Sequence, residues 1–198
     1  MMRHIPLIPT TIVILAAAAM VGLGFWQIGR ADEKAALIAS YETATGSADP
    51  VAFPLEGEGE EVWFRQSALT CENAIAIEPV AGRAANGAKG WAMRAKCAVI
   101  GVDGAGAEAL VDLGFARALE VPDWNGGEVT GVIAPGPRLI AAPAVGGLMP
   151  LAKPDPKDLP NNHIAYAGQW FFFAITALVI YAFALKARAA RRREPPSA

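Results

Sequence analysis

Hydrophobic positions are massed at the two ends of the chain. Between Arg3 and Arg30 there is no Asp, Glu, Lys or Arg, and the run reads LIPTTIVILAAAAMVGLGFWQIG. Between Asp158 and Lys186 the same holds, around FFFAITALVIYAFAL. A helix needs about 20 mainly apolar residues to cross roughly 30 Å of hydrocarbon. The pattern therefore predicts two transmembrane helices, over residues 5–29 and 163–185. A cleaved secretion signal also begins with a basic flank and an apolar stretch, but its apolar core is about 7–15 residues long and ends at a small-x-small site. The first run is longer and leads into WQIGRADEKAALIAS without such a site, which predicts an uncleaved anchor. The Arg- and Ser-rich, acid-poor leader of a mitochondrial precursor is missing too, which points to a bacterial chain or a mature form.

Between the two runs the pattern changes. ADEKAALIASYETAT (31–45) favours helix by composition and brings Leu37, Ile38 and Tyr41 to one face, so it extends the first helix until Pro50 and Pro54. Strand-like segments follow at VWFRQSALT (62–70), AIAIEPV (74–80), WAMRAKCAVI (91–100), EALVDLGFAR (108–117) and EVTGVIA (128–134). Asn86-Gly87 and Asp103-Gly104 are turn dipeptides. Short strands at intervals of roughly 8–12 residues predict a compact antiparallel sheet or barrel. Residues 135–160, rich in Pro and Gly, read as an irregular return path. The expected fold is two transmembrane α-helices flanking an extracytoplasmic, mainly antiparallel β domain over 30–160, with a basic cytoplasmic tail at 186–198.

Charge sets the expected orientation. Lys186, Arg188, Arg191, Arg192 and Arg193 follow the second run, against Lys153 and Lys157 before it. Basic residues stay on the cytoplasmic side, so both termini are expected in the cytoplasm of a bacterial inner membrane and residues 30–160 outside. The first helix, with Arg3 facing Arg30 and Lys34, does not decide the matter. The arginine run suits anionic lipid head groups rather than nucleic acid. Eighteen acidic against eleven basic residues in 30–160 exclude a nucleic-acid surface on the central domain. Cys71 and Cys97 then share an oxidising compartment, where a disulfide or a pair of buried thiols are both open. No C-x-x-C spacing marks a redox or metal pair.

No enzyme motif stands out: there is no G-x-S-x-G, P-loop or H-E-x-x-H, and GVDGAGAE (101–108) is a turn. Glu58, Glu60 and Glu61 in EGEGEE form a solvated face. The membrane boundaries hold more. Trp26 and Trp170 suit the head-group layer, Gln27 and Gln169 sit beside them, and Arg30 shares a helical face with Gln27. An aromatic belt with an anchoring arginine accounts for WQIGR taken alone. Asn161 or Asn162 caps the second helix and puts His163 in its first turn, within about 10 Å of Trp170 along the axis. His163 reads either as an interfacial polar residue or as an axial haem ligand, which needs a neutral imidazole and a hydrogen-bonded partner. The other histidine, His4, stands at the far end of the first run. Gly22 and Gly24 could allow close helix contact, although their spacing is not the usual dimer motif.

GLGFWQIGRADEKAALI resembles the first-helix signature of the Surfeit locus protein 1 family, approximately L-G-x-W-Q-x-x-R, and NNHIAYAGQWFFFA resembles its second, approximately N-x-H-L-x-Y-A with a following Trp-Phe. FRQSALT is similar to the family's segment around Arg65, and ALVDLGFAR to its L-V-N-R-G-W-V-P strand, with Leu113 in place of arginine and Phe115 in place of tryptophan. The resemblance spans nearly the whole chain. It implies an assembly factor for haem-copper cytochrome c oxidase, not an enzyme, that carries haem A transiently to the catalytic subunit, with haem A synthase and membrane lipids as further partners. It also implies His163 as axial ligand to the haem iron. Trp26, Gln27, Arg30, Tyr166 and Trp170 would belong to the same cofactor-binding site. The opposing reading is a scaffold that binds no haem and stabilises oxidase assembly intermediates. A haem-modifying oxidase would need more than one histidine within the membrane.

Overall fold

The first apolar run forms one continuous helix, α1 (Leu7–Thr45), and the last forms α2 (His163–Arg191). This computed structural model describes residues 6–47, 49–101 and 104–191. Arg3, His4, Asp103, Arg192 and Arg193 lie outside the described residues. The chain divides into two units, one made of the residues up to Leu37 and those from Pro160 onward, the other of Ile38–Leu159.

In the first unit α1 and α2 run antiparallel, because positions rising along α1 meet positions falling along α2. Asn161 meets Ala31, His163 meets Gln27, and Tyr181 meets Thr10. On α1 the less exposed positions include Thr10, Val13, Ala17, Met20, Gly24, Gln27 and Ala31. On α2 they include His163, Ala167, Trp170, Ala174, Ala177 and Tyr181. Both series alternate steps of three and four, the 3.5-residue spacing of a helix-packing seam. Small residues recur in it, and Gly24 is the tightest point: a Cβ there would lie 2.5 Å from Phe171 Cε1. Phe171 meets Phe25 edge-on, with ring centroids 5.4 Å apart. Gly22 faces open space, so of the two glycines singled out in the sequence, Gly24 makes the close approach. Tyr181 Oη lies 2.5 Å from Thr10 Oγ1, which itself donates to Pro6 O. Since that hydroxyl has one proton, the tyrosine is the donor to it.

The helix-favouring composition of 31–45 does extend α1, whose last turns belong to the second unit. There Tyr41 is buried against Phe64 and Trp63, at centroid distances of 5.2 and 6.0 Å. Short β1 (Val51–Ala52) and a 3-10 turn (Glu60–Val62) follow. Then come β2 (Gln66–Cys71), β3 (Asn73–Arg83), β4 (Lys89–Ile100), β5 (Gly106–Ala116), β6 (Gly127–Ala134) and β7 (Arg138–Ala141). The turn from β3 to β4 carries Asn86 and Gly87 as expected. Gly87 takes a φ of +86°, and Asn86 Oδ1 accepts the Ala88 N–H at 3.1 Å.

The seven strands form one sheet in the order β1-β2-β6-β7-β5-β4-β3. Two pairings among the described residues, β1 with β2 and β5 with β7, are parallel. The sheet is therefore mixed: its other pairings, β2–β6, β3–β4, β4–β5 and β6–β7, are antiparallel as expected, and the two parallel ones depart from a purely antiparallel sheet. β7 also corrects the irregular return path, because it turns back from β6 and slots between β6 and β5. Its four residues are too short and too closely flanked by Pro and Gly to announce a strand. The N-terminal part of the expected strand 62–70 is likewise a turn, and β2 starts at Gln66.

Cys71 on β2 and Cys97 on β4 are disulfide-bonded, with Cα atoms 5.2 Å apart. Three strands separate them in sheet order, so the sheet must curl until its two sides meet. The Glu72 N–H donates to Ala98 O at 2.8 Å across the same seam. Val111, Leu113, Val129, Ile133 and Leu139 fill the interior. Leu113 and Phe115, the two positions where the sequence departs from the strand it resembles, are both buried core side chains.

One polar cluster is embedded in this sheet. Asp112 is 3% exposed. It accepts from Arg94 Nε at 2.7 Å and Nη2 at 3.1 Å, and from Arg138 Nε at 3.1 Å. Register explains it: Arg94 is the cross-strand partner of Asp112 on β4. Arg138 sits two register positions away on β7, opposite Leu110, which puts it on the same face of the sheet.

Candidate functional site

The polar end of the helix pair gathers most of the side chains that the sequence singled out. Pro160 precedes two asparagines, and Asn162 O accepts the Tyr166 N–H at 3.2 Å, which opens α2 at His163. Asn161 Nδ2 donates to Ala31 O at 3.0 Å and so ties the entry of α2 to the side of α1. With the backbone held there, the half-buried His163 imidazole brings Nδ1 to 2.7 Å from Gln27 Oε1. An amide oxygen accepts and cannot donate. The imidazole proton therefore sits on Nδ1, and in the neutral ring Nε2 is the nitrogen that keeps a lone pair. Nε2 makes no hydrogen bond among the described residues. Nearby in the chain, Asn161 Oδ1 is buried without a partner, an acceptor left unmet where such groups cost about 1–3 kcal/mol.

The other expected residues are placed less tightly. Arg30 shares a stripe of α1 with Trp26, one turn away. Its guanidinium pairs with Glu33 in its own helix, and its side chain is 51% exposed. Trp26 and Tyr166 are exposed, and Trp170 packs edge-on against Phe173 at 6.3 Å. His163, Tyr166 and Trp170 follow one stripe of α2 by spacing. No ring–ring contact joins Trp26, Tyr166 and Trp170 among the described residues.

The structure thus joins Gln27 to His163 directly and leaves Arg30 with Glu33. Sequence reasoning missed Glu33, which the i, i+3 spacing to Arg30 could have revealed. The sequence offers Asn161 or Asn162 as a cap, whereas the bond from Asn161 to α1 leaves no local signal. Sequence reasoning also missed the Asp112 cluster, whose members lie on three strands.

Chemically the site offers one imidazole lone pair, one exchangeable cation and three flat aromatic faces. Among the described residues no group of three His, Cys, Asp or Glu could enclose a metal ion.

A family model for the SURF1 family matches residues 14–175, a range that contains every residue of the site. No curated protein matches the chain. The chain belongs to the SURF1 family, a membrane-associated family of assembly factors known for cytochrome c oxidase assembly and not for any enzyme class.

Proposed function

We propose that this protein binds haem A at the polar end of its helix pair and hands it to the catalytic subunit of the oxidase, without catalysing a reaction of its own. The observation that carries this reading is the His163 Nδ1···Oε1 Gln27 hydrogen bond at 2.7 Å, which leaves Nε2 as the donor nitrogen. A metal-bound histidine characteristically gives its second ring N–H to such a partner. Haem A, when bound, would supply an iron that accepts an imidazole nitrogen, held by His163, and two propionates. Arg30 suits a propionate because its present partner is easily exchanged: an exposed i, i+3 pair is worth about 0.2–1 kcal/mol. Trp26, Tyr166 and Trp170 would cover the apolar faces and exclude water. One protein nitrogen is a weak hold on such a ligand, which suits a carrier that must release its load.

The setting we propose is a bacterial inner membrane crossed twice. Both helices are long and apolar enough to cross a bilayer. Large side chains such as Ile12, Leu15, Phe172, Ile175, Ile180 and Phe183 stand exposed on them, surface that water would penalise by about 25 cal/mol per Å². The polar pairs Thr10–Tyr181 and Gln27–His163 lie 17 and 18 residues apart on their helices, or about 26 Å at about 1.5 Å per residue. That span is close to the hydrocarbon thickness of roughly 30 Å, so each pair would sit near one boundary. Basic residues from Lys186 onward favour cytoplasmic termini, which would put His163 and the disulfide-bonded domain outside. Haem A synthase, as donor of the cargo, and anionic lipids at the tail complete the proposed partners.

The test is the absorption spectrum of detergent-purified protein from a haem A-producing host, beside His163→Ala. Haem A co-purifying with the wild type, and lost in a variant of unchanged helix content, is expected. A haem-free wild type from that host would favour the scaffold instead.

A further inference from the structure

The amide of Gln27 does more than fill space between the helices. In water the neutral imidazole of histidine prefers its proton on Nε2, the nitrogen farther from the backbone. A ring in that form has its lone pair on Nδ1. At position 163 the order is reversed, because Nδ1 faces an oxygen that can only accept. Gln27 is held in place from both sides. It lies in the seam of the helix pair, between Gly24 and Ala31. One turn on, the Asn161 side chain fixes the register of the two backbones by its bond to Ala31 O.

We infer that Gln27 is a positioning residue rather than a contact to the ligand. Its side-chain oxygen selects the Nδ1–H form of His163 and so presents Nε2, lone pair outward, to an incoming metal centre. The value of this to haem binding rests on the reading of His163 given above, whereas the tautomer itself does not. Glutamate at position 27 keeps the acceptor and must keep the tautomer. Leucine, of similar size and without an acceptor, must lose it. Removing such an outer partner of a metal ligand typically weakens metal affinity 10–100-fold.

Nitrogen NMR of the full chain in detergent, labelled at histidine, reads the tautomer without any haem. At about pH 9, above the ordinary histidine range near 6.5, the neutral ring gives one protonated and one lone-pair nitrogen signal. His163→Ala identifies which signals belong to the site. The wild type and Gln27→Glu are expected to carry the proton on Nδ1, and Gln27→Leu to move toward Nε2–H. A wild-type ring protonated at Nε2 would overturn the inference outright, with no variant needed. So would a Gln27→Leu ring that keeps Nδ1–H. Haem titration of the same samples should show Gln27→Leu binding 10–100-fold more weakly and Gln27→Glu within a few-fold of wild type. Equal affinities in all three would overturn the positioning role. Failure of every sample, wild type included, to bind haem would remove the haem reading while the nitrogen spectra still decide the tautomer.

Discussion

At the scale of single residues, burial reshapes the chemistry of side chains that look ordinary in the sequence. Tyr41 follows a helix-forming stretch and nothing near it in sequence suggests an altered phenol. Burial against Trp63 and Phe64, and then the charges of Glu60 and Glu61, hold its hydroxyl above the usual tyrosine value near 10. The folded state therefore favours the neutral phenol over what the unfolded chain allows. That contribution is fully present below about pH 10 and is lost as pH rises through the raised folded value. Of the three tyrosines, the one removed by Tyr41→Phe should show the raised midpoint in a tyrosinate absorbance titration. Glu60→Gln with Glu61→Gln should lower that midpoint without returning it to the ordinary value, because burial is the larger cause. A full return would mean that the two carboxylates dominate. The acidic EGEGEE segment, legible as a solvated face, thus acts on a buried group that only the fold brings near it.

At the scale of elements, two glycines of the first helix meet very different surroundings. Gly24 and Gly22 are indistinguishable in the sequence, two small residues in one apolar run. In the fold, a methyl at position 24 would meet the Phe171 ring at 2.5 Å, while one at 22 meets nothing within 4 Å. Gly24→Ala should cost about 1–3 kcal/mol, the usual range for overpacking, seen as a lower melting temperature in detergent. Gly22→Ala should be silent or mildly stabilising, since alanine suits helix interiors better by roughly 0.5–1 kcal/mol. Phe171→Leu should restore much of what Gly24→Ala loses. Equal effects at the two glycines would refute the packing described here. The same seam sets Gln27 against His163, so a loosened pair should also disturb the site without any change to its residues.

At the scale of the whole molecule, the two units rely on different forces. The helices expose apolar surface outward and keep polar pairs near the ends, whereas the sheet unit buries its own core and is closed by a covalent bond. Cys71 and Cys97 enclose a sequence separation of 26 residues, and removing such a bond typically costs 2–5 kcal/mol. Cys71→Ala with Cys97→Ala should lower the urea midpoint of the tryptophan transition accordingly. Protein denatured without reductant should yield no titratable thiol. Two thiols in material purified from membranes would argue for a reducing compartment and against the proposed outward placement of the domain.

The residues themselves determined the two long helices, the extension of the first as far as Thr45, the existence of most strands and the place of His163 in the first turn of the second helix. These follow from local physics: unbroken apolar length, helix propensity, alternation, and asparagine and glycine at turns. Tertiary structure decided the rest. The slot occupied by β7, the parallel pairings, the Asp112 cluster and the closure between Cys71 and Cys97 all depend on which strands become neighbours, and pairing partners many residues apart leave no trace in any short window. The bond from Gln27 to His163 is of the same kind. Each residue could be suspected alone, but their hydrogen bond exists because an antiparallel seam sets one helix against the other at a single register.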